Sequence, residues 1–413
     1  MEEADPGAAN VPLFQQESVG GVTYRIPALL YIPPSRTLLA FAEKRSSAKD
    51  EDALHLVLRR GLRDGLSVQW GPAEPLTTAR LPGYRTMNPC PVREWKSGEL
   101  FLFFLCVRDH VSERRQILSG RSAARICLVS SSDDGRHWGP PTDVTREALG
   151  PDSRRWATFA VGPGHGVQLQ DGRLVVPAYA YGRRPRCPCL PLPLPPAPPC
   201  RPRPHAFVLY SIDLGATWRH GAPVLAADTG ECEVAEVAAG GTSGGPVVLY
   251  CNARTGAGWR AEAFSPDGGE RFRPPVLSRQ LREPPRGCQG SVVSFHPGPA
   301  DGAADGAAAA ATPRPPGGTW LVFSHPTGRK RRVDLGVRLN RAPLEAGPWS
   351  RPWVLHRGPS GYSDLAVLED GAGEEGGVFG CLFERGVKRE CEQIAFRLFT
   401  GRQLLDRVRP EED

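Results

Sequence analysis

One unit recurs along this chain: a short run of β-branched, leucine and aromatic residues, a polar turn, and an aromatic that opens the next run. Leu54–Leu58 leads through Asp64-Gly65 to Trp70, and Arg125–Val129 leads through Asp133-Asp134-Gly135 to Trp138. Ala206–Tyr210 leads through Asp213-Leu214-Gly215 to Trp218, and Arg260–Phe264 through Asp267-Gly268-Gly269 to Phe272. Asp334–Leu339 is followed by Trp349 and Trp353. Short apolar runs closed by Gly, Pro and Asp-Gly turns read as strands, and helical periodicity is nearly absent. Each unit is a β-hairpin with an aromatic plug, and the fold class is all-β.

The spacing of the plugs narrows the architecture. Successive plugs lie 68, 80, 54 and 77 residues apart. Two of the long gaps hold insertions: 182–204 is rich in Pro and Cys, and 297–318 is Ala, Gly and Pro. Without their 23 and 22 residues those gaps fall to 57 and 55. That is somewhat above the ~40–50 residues of a four-stranded propeller blade. Five such units, with the C-terminal strand pairing beside the N-terminal one, close a six-bladed β-propeller of four-stranded antiparallel sheets. Closure removes free sheet edges. A β-sandwich, or a pair of them, is the alternative on pattern alone. The whole chain, 1–413, reads as one propeller domain with the two insertions as surface loops.

Composition excludes several functions. The 413 residues are 40% hydrophobic, enough for a sizeable core, and carry a net charge of +6. This mild basicity suits anionic partners, but the arginines are scattered and no basic stripe interleaves with aromatics, so nucleic acid is not expected. No apolar run approaches the ~20 residues of a spanning helix, so any membrane association is peripheral. The start, Met1-Glu2-Glu3-Ala4, has no apolar signal region. Eleven dispersed cysteines, an odd number, read as reduced thiols. Cys187 and Cys189 are too close for a zinc ribbon and no His cluster follows, so neither a metal nor another cofactor is expected.

Ser131-x-Asp133-x-Gly135-x-x-Trp138 and Ser211-x-Asp213-x-Gly215-x-Thr217-Trp218 match the Asp-box turn, and Ser265-x-Asp267-x-Gly269-x-x-Phe272 is a third copy with Phe for Trp. In this turn Asp bonds the turn amides, Gly takes a positive φ and the aromatic packs under the hairpin. These residues build structure and do no chemistry. Near the start stands Tyr24-Arg25-Ile26-Pro27. With the Asp boxes, with Phe41-Ala42-Glu43-Lys44-Arg45, Asp50-Glu51-Asp52-Ala53-Leu54-His55, Arg85-Thr86-Met87-Asn88-Pro89-Cys90 and Gly358-Pro359-Ser360-Gly361-Tyr362-Ser363-Asp364, the chain resembles the animal sialidases over nearly its whole length.

That resemblance implies a retaining exo-α-sialidase, and in particular the branch that acts on gangliosides at the plasma membrane. It implies three arginines for the sialic acid carboxylate, matched by Arg25, Arg254 and Arg332. Arg is the planar, permanently charged donor such a group needs. Arg329, Lys330 and Arg331 leave the register of the third open. A nucleophile beside that carboxylate is best neutral until it reacts, and sialidases use Tyr; Tyr362 is the match. Glu231 is its expected base, with Glu233 and Glu236 as rivals; strand alternation puts Glu231 and Glu233 on one face and cannot choose. Asp50 is the expected acid/base, its pKa raised by Glu51 and Asp52. By the same resemblance Glu384 orients Arg25, while Glu43, Arg45, Met87, Asn88, Glu113, Tyr179, Tyr181 and Gln289 support or line the sugar pocket. Two other readings stay open: a sialidase acting on oligosaccharides and glycoproteins in the cytosol, and a propeller that binds sialosides without turnover.

Overall fold

A computed structural model describes residues 9–183, 202–225, 228–238, 247–297, 318–345, 348–369 and 376–409. Most of the two expected insertions, 184–201 and 298–317, lies outside the described residues. After β1 (Val11–Gln15), one antiparallel sheet holds β2 (Thr23–Ile32), β3 (Thr37–Arg45), β4 (Ala53–Asp64) and β5 (Ser67–Pro75). The next holds β6 (Tyr84–Arg93), β7 (Leu100–Arg108), β8 (Ala124–Ser131) and β9 (Thr142–Asp143). A third runs β10 (Trp156–Val161), β12 (Leu174–Gly182), β13 (Pro204–Ser211) and β14 (Arg219–His220), with the short β11 (Val167–Gln168) also on β12. A fourth holds β15 (Thr229–Ala238), β16 (Val247–Thr255), β17 (Trp259–Ser265) and β18 (Val276–Arg282).

The last sheet departs from four strands. It runs through β19 (Ser291–Phe295), β20 (Trp320–Pro326), β21 (Val333–Asn340), β22 (Trp353–Glu369), β23 (Val378–Arg385) and β24 (Gln393–Thr400) to β1, making seven. The reason is the length of β22, 17 residues. Its first part, to Pro359, pairs β21, and its second, from Ser360, pairs β23. β24 closes onto β1, so C-terminal and N-terminal strands share an edge. The first strands of the sheets meet around a centre: β2 touches β6, β6 touches β10, β15 touches β19, β19 touches β22, and β22 returns to β2. The arrangement is an all-β, propeller-like ring of antiparallel sheets.

The repeated turns hold neighbouring sheets together. In all three, the Ser hydroxyl bonds Asp and receives the Gly N–H, while Asp accepts the amide four residues on. Gly135, Gly215 and Gly269 take φ of 71°, 93° and 98°, which glycine adopts at no steric cost. A Cβ on Gly135 would meet Leu39 of β3, on Gly215 it would meet Phe101 of β7, and on Gly269 it would meet Val208 of β13. Each turn is therefore pressed against the sheet before its own. The plugs do likewise: Trp70 packs on Phe396, Trp138 on Phe41 and Trp218 on Phe101 and Phe103. Trp218 is fully buried.

Among the described residues, two short α-helices lie between strands and a third follows β24, and the periodicity of the sequence did not reveal them. One of these, α1 (Glu113–Ser119), is capped by Ser112, whose hydroxyl accepts from the Arg115 N–H, and ends at Gly120 in the left-handed region. The eight described cysteines are free and buried.

Gly215→Ala both forces a positive φ on a residue with a Cβ and drives that Cβ into Phe101. It is expected to lower unfolding stability by ~1–3 kcal/mol, read as a shift in the denaturant midpoint. An unchanged midpoint contradicts this account of the sheet-to-sheet seal.

Candidate active site

The innermost strands are irregular where the expected site residues sit. Pairing shifts between Arg25 and Ala28 in β2, between Met87 and Cys90 in β6, between Thr229 and Cys232 in β15, and between Ser360 and Ser363 in β22. Bulges re-aim side chains out of the sheet's regular alternation. Here they carry Arg25, Met87 with Asn88, Glu231 and Tyr362 to one end of the ring. In β2 and β6 the bulge contains a proline, Pro27 or Pro89, which has no N–H to give to the ladder. Ile26 and Asn88 take φ of 61° and 51°, a strained choice for a β-branched residue such as Ile26.

Buried carboxylates hold these bulges. Glu384 accepts the N–H groups of Ile26 and Tyr362, each at 3.0 Å, and grips Arg25 through Nε at 2.7 Å and Nη2 at 3.1 Å. Glu43 accepts the Asn88 N–H at 2.7 Å and pairs with Arg45. Burial pushes both carboxyls up. Arg25 and the two N–H groups outweigh it at Glu384, which is held below the usual glutamate range. At Glu43 burial prevails over Arg45 and the Asn88 amide, and its pKa is raised.

Tyr362 is the meeting point. Its hydroxyl donates to Glu231 Oε1 at 2.5 Å and receives Arg254 Nη1 at 3.1 Å. Arg254 Nη1 also bonds Glu231 Oε2 at 2.6 Å, and its Nε and Nη2 bond the Arg286 carbonyl. Arg25 and Arg332 stand over the Tyr362 ring, their guanidinium carbons 5.4 and 5.5 Å from its centre. Burial, then the Glu231 charge, raises the Tyr362 pKa well above that of a free phenol, although Arg254 and Arg332 pull against them. A neutral phenol is thus held against a carboxylate that can take its proton, among three cations. Among the four adjacent basic residues, Arg332 takes this place, while Arg329, Lys330 and Arg331 are exposed. Glu233 and Glu236 do not reach Tyr362.

On the far side of Arg25 stands Asp50, with 60% of its side chain exposed and 2.6 Å from Arg45 Nη1. Its environment is the opposite of the one expected from the acidic run. The cleft walls partly desolvate Asp50, which raises its pKa, but Arg45, Arg25 and Arg85 together hold it below the usual aspartate value. The charges that dominate it are cationic, and those of Glu51 and Asp52 do not outweigh them. Glu113, at the start of α1, turns its carboxylate into the cleft, where it accepts the Tyr179 hydroxyl at 3.3 Å. Burial, with the charges of Glu231 and Asp50, pushes its carboxyl up to about 7. Tyr179 and Tyr181 lie edge to face on one wall. The resulting cleft is about 540 Å³ and is lined by Arg25, Asp50, Met87, Asn88, Glu231 and Tyr362, with Glu113, Tyr179 and Tyr181 opposite.

Gln289, Glu43 and Glu384 are not in the lining; they sit fully buried beneath it. Gln289 belongs to a network that sequence reasoning missed. Its amide donates to Glu233 Oε1 and the Ser363 carbonyl, and its oxygen accepts the Ser363 N–H. Ser291 Oγ lies 2.7 Å from Glu233 Oε2 and 3.0 Å from Asp364 Oδ1, and His165 Nδ1 is 2.7 Å from the same Asp364 oxygen. Burial and the neighbouring Asp364 charge push Glu233 well up, toward its protonated form. His165, Glu233 and Asp364 cluster as metal ligands do, but their oxygens already receive the N–H groups of Leu29 and Val292. The cluster is a hydrogen-bond hub. It ties Glu231's strand to Tyr362's strand from below. Residue type alone could not reveal it, since His165 and Asp364 are 199 positions apart.

Comparison with known proteins fits this geometry. Residues 36–374 match the BNR repeat-like domain. The chain is 58% identical to sialidase-3 of Bos taurus, covering 99% of this chain and 96% of that protein, and 57% identical to sialidase-3 of Homo sapiens with the same coverage. It is 43% identical to sialidase-2 of Mus musculus, over 97% of this chain and 99% of that one. The chain belongs to the sialidase family. Among solved structures, the Hadza microbial sialidase Hz136 superposes with a TM-score of 0.72 at 22% identity, covering 95% of this chain and 69% of that one. The intramolecular trans-sialidase from Ruminococcus gnavus superposes with a TM-score of 0.68 at 14% identity, over 97% and 99%. These two show a shared fold.

Two stability results are expected. Glu384 has a depressed pKa, so its contribution is present above the ordinary glutamate pKa and is lost as pH falls through its folded value. Glu384→Gln is expected to cost ~3–5 kcal/mol near pH 7, with the gap to the parent narrowing toward pH 3 in urea unfolding. In the hub, Ser291 has one hydroxyl hydrogen for two carboxylates. With the proton on Glu233, Glu233→Gln is expected to cost under ~1.5 kcal/mol, whereas Asp364→Asn, which breaks the His165 pair, costs ~3 kcal/mol or more. The reverse order contradicts this proton assignment.

Proposed function

We propose that this chain is a retaining exo-α-sialidase of the Tyr-nucleophile type, working on gangliosides at a membrane surface. The observation that carries the reading is the contact of Tyr362 with Glu231 and Arg254 under the guanidinium groups of Arg25 and Arg332. Three arginines around one hydroxyl form a seat for a sugar that bears its carboxylate on the reacting carbon. A carboxylate nucleophile there would repel the substrate; a buried, neutral phenol does not.

The chemistry runs in two displacements. The Tyr362 oxygen bonds to the anomeric carbon and passes its proton to Glu231 as the glycosidic C–O bond breaks. Asp50 gives its proton to the leaving oxygen. Water, deprotonated by Asp50, then attacks the same carbon, and Tyr362 leaves and regains its proton from Glu231. Two inversions give retention. Asp50 must be protonated for the first step, though Arg45, Arg25 and Arg85 hold its pKa low. A substrate carboxylate on Arg25 offsets part of that cationic pull, and the sugar above Asp50 excludes water. No metal or other cofactor enters the scheme. Glu384 orients Arg25; Glu43 and Arg45 set the Asp50 side; Met87, Asn88, Glu113, Tyr179 and Tyr181 line the sugar, with Gln289 in support.

The same reading covers the architecture. The seven-stranded sheet is two blades sharing β22, which makes six blades joined by Asp-box turns in one domain, with 182–204 and 297–318 as insertions. Preference for gangliosides and a peripheral plasma-membrane location rest on the likeness to sialidase-3. Among the described residues, no helix is long and apolar enough to cross a membrane.

The test is release of sialic acid from a ganglioside in micelles beside a sialylated glycoprotein. The ganglioside is expected to be the better substrate. Tyr362→Phe is expected to abolish turnover, and Asp50→Asn to lower kcat by ~10²–10⁴ on substrates with poor leaving groups. On a monosialylated substrate, Arg332→Ala removes activity and Arg331→Ala does not. Equal release from both substrates removes the ganglioside claim and keeps the enzyme; turnover by Tyr362→Phe removes the nucleophile.

A further inference from the structure

Beside the cleft lies a second cavity of about 510 Å³. Arg254 and Arg332 line both, so the two are contiguous across the arginine clamp. The walls of the second are basic: Arg286, Lys330, Arg331 and Lys388 against one acid, Glu390. None of the four cations has an ion pair within 4 Å among the described residues, and all four are exposed. Elsewhere in the chain exposed arginines do pair, as Arg155 does with Asp152 and Arg271 with Asp267. The loop that brings Arg286 here is strained, with φ of 67° at that residue, and its carbonyl is fixed by two donors of Arg254. A non-glycine residue in that region persists only where its surroundings impose it.

We propose that this cavity is a second anion subsite, which takes the carboxylate of another acidic sugar on the glycoconjugate being hydrolysed. The inference rests on the sialidase reading above and extends it to substrate choice. Two observations favour a sugar acid over a lone ion. The cavity matches the reaction cleft in size, so it has room for a whole sugar. It shares Arg254 and Arg332 with the reaction cleft, so a second acidic sugar on the same substrate can reach it while the first is held. Exposed cations on flexible stems suit this task, because they raise the capture of a charged substrate without taking part in bond breaking.

The experiment compares two soluble oligosaccharides with the full chain: one monosialylated, one carrying two adjacent sialyl residues. The variant is Lys330→Ala/Lys388→Ala, whose residues have no part in the clamp or the chemistry. The parent is expected to show a lower KM for the disialylated compound, and the variant to raise that KM by about five- to tenfold with kcat unchanged. On the monosialylated compound the variant matches the parent, which also shows that it folds and that the reaction reading stands. Raising salt from 0.05 to about 0.5 M is expected to erase the parent's preference, since exposed charges are screened. Equal KM values for the two compounds in the parent overturn the subsite. So does a variant that changes both compounds alike, or one whose defect appears only on vesicles of anionic phospholipid and not on the soluble disialyl compound. An inactive parent on the monosialylated compound would instead overturn the reaction reading.

Discussion

The site depends on carboxylates that never meet solvent. Glu43 on β3 accepts the Asn88 N–H of β6, and Glu384 on β23 accepts that of Ile26 on β2. Asp364 on β22 accepts the Leu29 N–H of β2, and Glu233 on β15 that of Val292 on β19. Each crosses from one sheet to the next. A bulged strand leaves N–H groups without ladder partners, and an orphaned buried amide costs ~1–3 kcal/mol. A buried carboxylate costs several kcal/mol more unless donors surround it. Bulge and carboxylate satisfy each other. The bulges can then turn Arg25, Asn88 and Tyr362 toward the cleft without tearing the sheets apart.

The electrostatics follow from this frame. Glu384 is spent on Arg25, and Glu43 on Arg45, so the acids that face the cleft are few. Three guanidinium groups crowd Tyr362, and its hydroxyl still keeps its proton, because burial and Glu231 outweigh them. The arrangement is short of one negative charge, which a sugar carboxylate supplies. The hub of His165, Glu233, Asp364 and Ser291 fixes the two strands that carry Glu231 and Tyr362, and with them a contact of 2.5 Å. Preorganisation of this kind does part of the work of catalysis before substrate arrives.

Much of this was legible in the sequence, for local reasons. Turn chemistry and aromatic plugs are contiguous signals, so Ser131–Trp138, Ser211–Trp218 and Ser265–Phe272 announced the hairpins. The clamp residues and Tyr362 stood in short motifs and came by resemblance. What escaped notice was made by distance. Strand alternation put Glu231 and Glu233 on one face and could not see that a bulge and a difference in depth send one to Tyr362 and the other to the hub. Gln289 looked like a pocket residue and lies under the floor. Asp50 sits in an acidic run, so its pKa was expected to rise; Arg45, five residues before it, and the more distant Arg25 and Arg85 reverse the sign. The fusion of two sheets through β22 needed its 17-residue length, which turn signals at Gly358-Pro359 had hidden.

The central claim is that Tyr362 forms the bond to the sugar. A 3-fluorosialyl fluoride carries a good leaving group and a fluorine that slows the second displacement, so it should trap the intermediate. The measurement is mass spectrometry of the digested protein after brief treatment. The account predicts one fluorosialyl group per chain, on the peptide that holds Tyr362, released as activity returns. An adduct on Asp50 or Glu231, or full turnover of the reagent through a Tyr362→Phe chain, would contradict it.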